Sequence, residues 1–85
     1  MINGTQNTNI MKNKVKVDSH FDHAFLKTEI GTVVEYLDKT KEQVIFKETS
    51  KIENYYFTQI QTCSIKRNGE LGKHTSWLKF KHYTN

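Results

Sequence analysis

Residues 54–83 read NYYFTQIQTCSIKRNGELGKHTSWLKFKHY, and the turn inside this stretch decides the fold. Asn68-Gly69 is the strongest short hairpin signal in the chain, because tight hairpin turns need positive φ and these two residues accept it most readily. The flanks are rich in β-branched and aromatic residues, as strands require. A two-residue loop at Asn68-Gly69 sets Arg67 opposite Glu70. Counting outward then pairs Ile60 with Trp77, Thr58 with Lys79, Phe57 with Phe80 and Tyr56 with Lys81. Opposed residues share a face. One face holds Tyr55, Phe57, Gln59, Leu78 and Phe80, with Cys63 and Ile65 beyond, and reads as the core side. The other holds Tyr56, Thr58, Ile60, Trp77, Lys79 and Lys81, with Lys66, Leu71 and Lys73 toward the tip, and is amphipathic and basic. Gly72 leaves room for a bulge, and a slip of one residue would reverse one strand against the other.

Working toward the N-terminus, Ile30–Leu37 and Gln43–Lys47 are two further β-rich runs joined by the polar Asp38-Lys39-Thr40-Lys41, which reads as a first hairpin. Facing Val34 with Phe46 and Tyr36 with Val44 gives it one apolar side, with nearby registers almost as good. Residues 49–53 read as a polar connection. Ser19 followed by Asp22 approximates a capping box, and Phe21, Ala24 and Phe25 follow helical spacing, so a short helix is expected over residues 20–27. Lys14–Val17 alternates and suits a short edge strand whose lysines discourage further pairing. Residues 1–12 are polar and aperiodic and read as a disordered tail, leaving residues 13–85 as one small β-rich domain.

The fold class expected is therefore α+β: a small, curved, mostly antiparallel sheet of about five strands with one short helix. In outline this resembles a partly open SH3-like or Sm-like barrel, a likeness of architecture that carries no function. A chain of 85 residues with 35% hydrophobic content forms a single modest core. Cys63 is the sole cysteine, so no internal disulfide forms and a reducing compartment is the natural setting. The first residues lack the apolar stretch of a signal peptide, and no run approaches the roughly 20 apolar residues of a membrane span. A cytoplasmic protein is expected, with no membrane partner.

The net charge of +4 resides in one segment: residues 54–85 carry Lys66, Arg67, Lys73, Lys79 and Lys81 against Glu70 alone. The same segment holds six of the ten aromatic residues. Interleaved cations and rings suit phosphate backbones and stacked bases. The candidate binding residues are Tyr56, Lys66, Arg67, Lys73, Trp77, Lys79 and Lys81, with RNA, DNA or a nucleoprotein complex as partner. The competing structural reading places Trp77 in the core against Ile60 and makes the lysines an ordinary solvated edge. Arginine, the better residue for bidentate phosphate recognition, occurs once.

Catalytic and metal signatures are weaker. Asp18, His20, Asp22 and His23 form the one cluster of metal-like composition, with His74 or His82 as further donors, but paired cysteines and the two-histidine zinc signatures are lacking. Helix capping by Asp18, Ser19 and Asp22 explains that cluster as well. Cys63 beside His74, or Glu35 with Glu48, would be the reactive groups of an enzyme, yet no phosphate-cradling loop or nucleophile motif accompanies them. The expectation is a non-catalytic small basic protein with no cofactor and no metal. The alternative is a protein inhibitor or adaptor of phage or mobile-element type, anti-CRISPR-like, that blocks a host nuclease or defence complex by protein–protein contact. The lysine and asparagine bias accords with such an origin.

Overall fold

The computed structural model describes residues 14–83, so the tail expected over residues 1–12 lies outside them. Among the described residues five strands follow one another across a single sheet: β1 (Lys14–Lys16), β2 (Val33–Glu35), β3 (Lys41–Ile52), β4 (Tyr55–Ile65) and β5 (Leu71–His82), in that spatial order. β1 runs parallel to β2, and every other neighbouring pair is antiparallel. The sheet is thus mixed and open, with β1 and β5 at its two edges.

The helix expected over residues 20–27 is instead a 3-10 turn over His23–Lys27, and among the described residues it is the sole helical element. The class is accordingly a small mixed β-sheet rather than α+β. Asp22, not Ser19, is the N-cap: its Oδ1 accepts the Ala24 amide at 2.9 Å and its Oδ2 accepts the Asp18 amide at 2.9 Å. Ser19 Oγ takes the Phe21 amide at 3.1 Å and so closes a local turn ahead of the helical residues. With the start displaced, Phe21 is 85% exposed while Phe25 is fully buried.

Two of the loops are built alike. Around Leu37-Asp38-Lys39 the Lys39 amide donates to Tyr36 O and the Tyr36 amide to Thr40 O, both at 2.9 Å. Around Arg67-Asn68-Gly69 the Gly69 amide donates to Lys66 O at 2.9 Å and the Lys66 amide to Glu70 O at 2.7 Å. Each loop has three residues, the third in the left-handed region, with φ of 75° at Lys39 and 93° at Gly69. This is the three-residue hairpin with a bulge, in place of the two-residue turn expected at Asn68-Gly69. Lys66 rather than Arg67 faces Glu70.

The extra loop residue, together with a bulge between Cys63 and Ile65 in the region of Gly72, changes every pairing beyond. Ile60 faces Leu78 instead of Trp77, and Thr58 faces Phe80 instead of Lys79. In the first hairpin Val34 faces Glu42, four residues from the expected Phe46. Residues 49–53 are no connection: β3 continues to Ile52, which faces Tyr55 across a turn at Glu53-Asn54. A bulge between Val44 and Phe46 reverses the facing of β3 at that point.

The core lies on one side of this sheet. Val34, Val44, Ile60, Leu78 and Phe80 point from the strands toward Val17 and Phe25, with Val15, Ala24, Leu26 and Tyr36 packed around them. The rings of Phe25 and Phe80 lie 6.2 Å apart, and His23 meets Phe80 edge-on at 5.7 Å. Phe25 is therefore the plug that the 3-10 turn presses onto the sheet, and its truncation to alanine costs about 3–5 kcal/mol in a domain of this size. Buried threonines complete the layer with satisfied hydroxyls: Thr58 bonds Thr49 and His82 Nε2, each at 2.8 Å, and Thr62 donates to Glu42 Oε1 at 2.8 Å. No buried side-chain polar atom among the described residues lacks a partner. No helix among them is long and apolar enough to cross a membrane.

Candidate functional site

The side of β3, β4 and β5 facing away from Phe25 carries the second constellation of rings. Cross-strand register arranges it in rows. Phe46, Gln61 and Trp77 form one row; Glu48, Gln59 and Lys79 the next; Ser50, Phe57 and Lys81 the third. Tyr55, two residues before Phe57, and Tyr83, two after Lys81, extend the same side beyond the third row. Phe46 and Trp77 meet over Gln61 with ring centroids 5.6 Å apart at 67°. Tyr55 and Tyr83 meet edge-on at 6.2 Å, and the Lys81 ammonium lies 4.4 Å from the Tyr55 ring centroid.

Two aromatic platforms result, separated along the strands by about 20 Å from Trp77 to Tyr83 at roughly 3.3 Å per residue. Trp77 is 53% exposed and Tyr83 64%. Phe57 and Gln59 are half-buried between the platforms, Gln61 is half-buried within the first, and Lys79 and Lys81 are exposed beside them on β5. The one acid in these rows, Glu48, sits two strands away on β3. Positive potential is thereby concentrated along β5 and falls off across the sheet.

The residues singled out from sequence divide between the two sides. Trp77, Lys79 and Lys81 stay together on the outer face, and Trp77 is not in the core. Tyr56 leaves that group: it pairs with His82 on the covered side, where the two rings stack at 5.8 Å, and the Lys51 ammonium stands 5.9 Å from its centroid. Tyr55 and Phe57 take its place beside the lysines, having been assigned to the core. Lys66 and Arg67 are exposed in the β4–β5 loop, and Lys73 is exposed near the start of β5. Phe46, Phe57 and Tyr55 were missed as members of the face, while alternation along β5 already sets Tyr83 on the side of Trp77. For Tyr55 and Phe57 the signal was the three-residue reading of KRNGEL, whereas Phe46 reaches the side of Trp77 through the bulge after Val44.

The other constellations do not converge. His20 and His23 part company, His20 Nε2 lying 3.2 Å from Glu42 Oε1 and His23 resting on Phe80. No group of three His, Cys, Asp or Glu side chains among the described residues is placed to hold a metal ion. Cys63 is buried, its thiol donating to Gly72 O at 3.3 Å, and it faces Thr75 rather than lying diagonal to His74. Glu35 aligns with Lys41 and engages Lys14 at 3.5 Å, seven residues along β3 from Glu48.

Two groups on the covered side have displaced titrations. Burial, and then the Glu42 carboxylate that accepts its hydroxyl at 2.7 Å, push the Tyr36 phenol far above its ordinary range. Lys47 donates to Leu26 O at 2.9 Å and to Thr28 O, closing the end of the 3-10 turn, and burial lowers its pKa. Lys47 is thus a structural cation, set apart from the lysines of β5. At the β5 edge, His20, Phe21, Trp77, Leu78 and Lys79 line an open groove of about 490 Å³. Neither protein-family models, nor curated proteins, nor solved structures give a match to this chain.

Proposed function

We propose that this protein binds nucleic acid through the outer face of β3–β5 and is not an enzyme. The observation that supports this most is the union, on one face that no described residue covers, of two aromatic platforms with Lys79 and Lys81 between and beside them. Half-exposed rings gathered in one patch, rather than scattered singly, mark an interaction site. Here cations flank the rings, the pairing that phosphate and base require together. Lys66, Arg67 and Lys73 extend the positive charge toward the β4–β5 loop. The test is binding of mixed cellular RNA and DNA fragments across a salt series. Lys79→Glu with Lys81→Glu is expected to abolish retention at moderate salt while the fold persists, and unchanged retention would overturn the proposal.

A second reading, the inhibitor or adaptor that blocks a nuclease complex, draws on the groove at Phe21 and Trp77. It opens at the edge of β5, which pairs with no strand among the described residues and where an extended segment of a partner protein could add one. Recovery from lysate before and after nuclease treatment separates the two readings. A partner protein kept through nuclease and lost in Trp77→Ala favours the second.

A further inference from the structure

We infer that the ligand of the outer face is single-stranded nucleic acid, its phosphates running along β5 and its bases lying inward across β4 toward β3. This inference rests on the nucleic-acid reading and specifies its substrate class. The rings decide between one strand and two. In a duplex each base pair has both π-faces covered by its neighbours, so Phe46, Trp77, Tyr55 and Tyr83 would find nothing to stack on. A duplex would also hold those exposed rings against phosphates. A single strand offers unstacked bases, and aromatic platforms are how proteins capture them.

The polarity of the face sets the path. Lys79 and Lys81 project on the same side of the edge strand, about 7 Å apart by strand geometry. Glu48 occupies the opposite end of the Lys79 row, so a phosphate track over β3 would meet an acid. Between the platforms, Gln59 is half-buried at the level where base edges would lie, and its amide can both donate to and accept from them.

The experiment compares an oligouridylate and an oligothymidylate of about ten nucleotides with a blunt duplex of the same length, by fluorescence anisotropy over a salt series. Wild type is expected to bind one of the single strands at least about tenfold more tightly than the duplex near physiological salt. Trp77→Ala is expected to weaken single-strand binding by about tenfold and leave the residual duplex binding unchanged. Because Trp77 is more than half exposed, that variant should fold, as far-ultraviolet circular dichroism will show, and Tyr83→Ala provides an independent loss of the second platform. Duplex binding equal to or tighter than single-strand binding, or equal losses for both in Trp77→Ala, would overturn the single-strand assignment while leaving nucleic-acid binding intact. Absence of binding to all three probes would overturn both.

Discussion

Phe46 and Trp77 belong to strands that are not neighbours, yet their rings meet over the side chain of Gln61 at a centroid distance of 5.6 Å. Two strand spacings separate their backbones, roughly 10 Å, so only rings of this size can close the gap. The contact therefore depends on the bulge after Val44, which turns Phe46 to the same side as Trp77. A double-mutant cycle in urea with Phe46→Ala and Trp77→Ala is expected to give a coupling of about 0.5–1.5 kcal/mol. Strict additivity would mean that the two rings do not act as one platform.

The lysines of the two sides should behave oppositely. Lys79→Glu with Lys81→Glu is expected to change unfolding free energy by less than about 0.5 kcal/mol, since both side chains are exposed, yet to weaken nucleic-acid binding by tenfold or more. Lys47→Met removes the donor to Leu26 O and Thr28 O and should cost about 1–3 kcal/mol of stability. Its affinity per folded molecule should stay at the wild-type level. An exchange of these two phenotypes would place the binding face on the wrong side of the sheet.

Alkaline stability should follow Tyr36. The folded protein holds the phenol proton above the ordinary value of 10.0, where the unfolded chain releases it, so this contribution is complete below about pH 10 and declines above it. Lys47 acts in the reverse sense: its lowered folded pKa means that the unfolded chain binds more protons below 10.5, and stability rises as pH approaches that value. The stability difference between wild type and Tyr36→Phe isolates the first effect. Urea unfolding should show that difference shrinking as pH climbs above about 10, and a constant difference would refute the Tyr36–Glu42 assignment.

The two like-built loops differ in the residue at their left-handed position. Lys39 pays a Cβ penalty there that Gly69 avoids, so Lys39→Gly should stabilise by up to about 1 kcal/mol. Gly69→Ala should destabilise by about 1–2 kcal/mol, although nothing lies within 4 Å of the added methyl. Thermal unfolding of both variants checks the pair, and equal effects of the same sign would contradict the shared loop geometry.

What sequence could reveal here was local. The alternation within residues 55–65 and 71–82, the turn at Asn68-Gly69 and the edge position of Lys14–Lys16 were legible, because each depends on neighbours in the chain. Facing was not. A loop of two or three residues at Asn68-Gly69 satisfies the same signal, and the extra residue exchanged Tyr56 for Tyr55 and Phe57 beside Lys79 and Lys81. The bulge at Ile45 left no mark in composition, so Phe46 went unrecognised as the partner of Trp77. The continuation of β3 through Ile52 was hidden by polar residues whose place on an exposed strand only the sheet reveals. Phe21, Ala24 and Phe25 had helical spacing, but Asp22 capped the chain two residues before Ala24, and a 3-10 turn formed in its place.

The most direct test uses Trp77 itself, the single tryptophan of the chain, as the probe. Its emission should be followed while single-stranded oligouridylate or oligothymidylate is added at low salt. Base stacking predicts saturable quenching, with a midpoint moving to higher oligonucleotide concentration as salt is raised. Emission that stays constant through saturating oligonucleotide would contradict a binding face centred on Trp77.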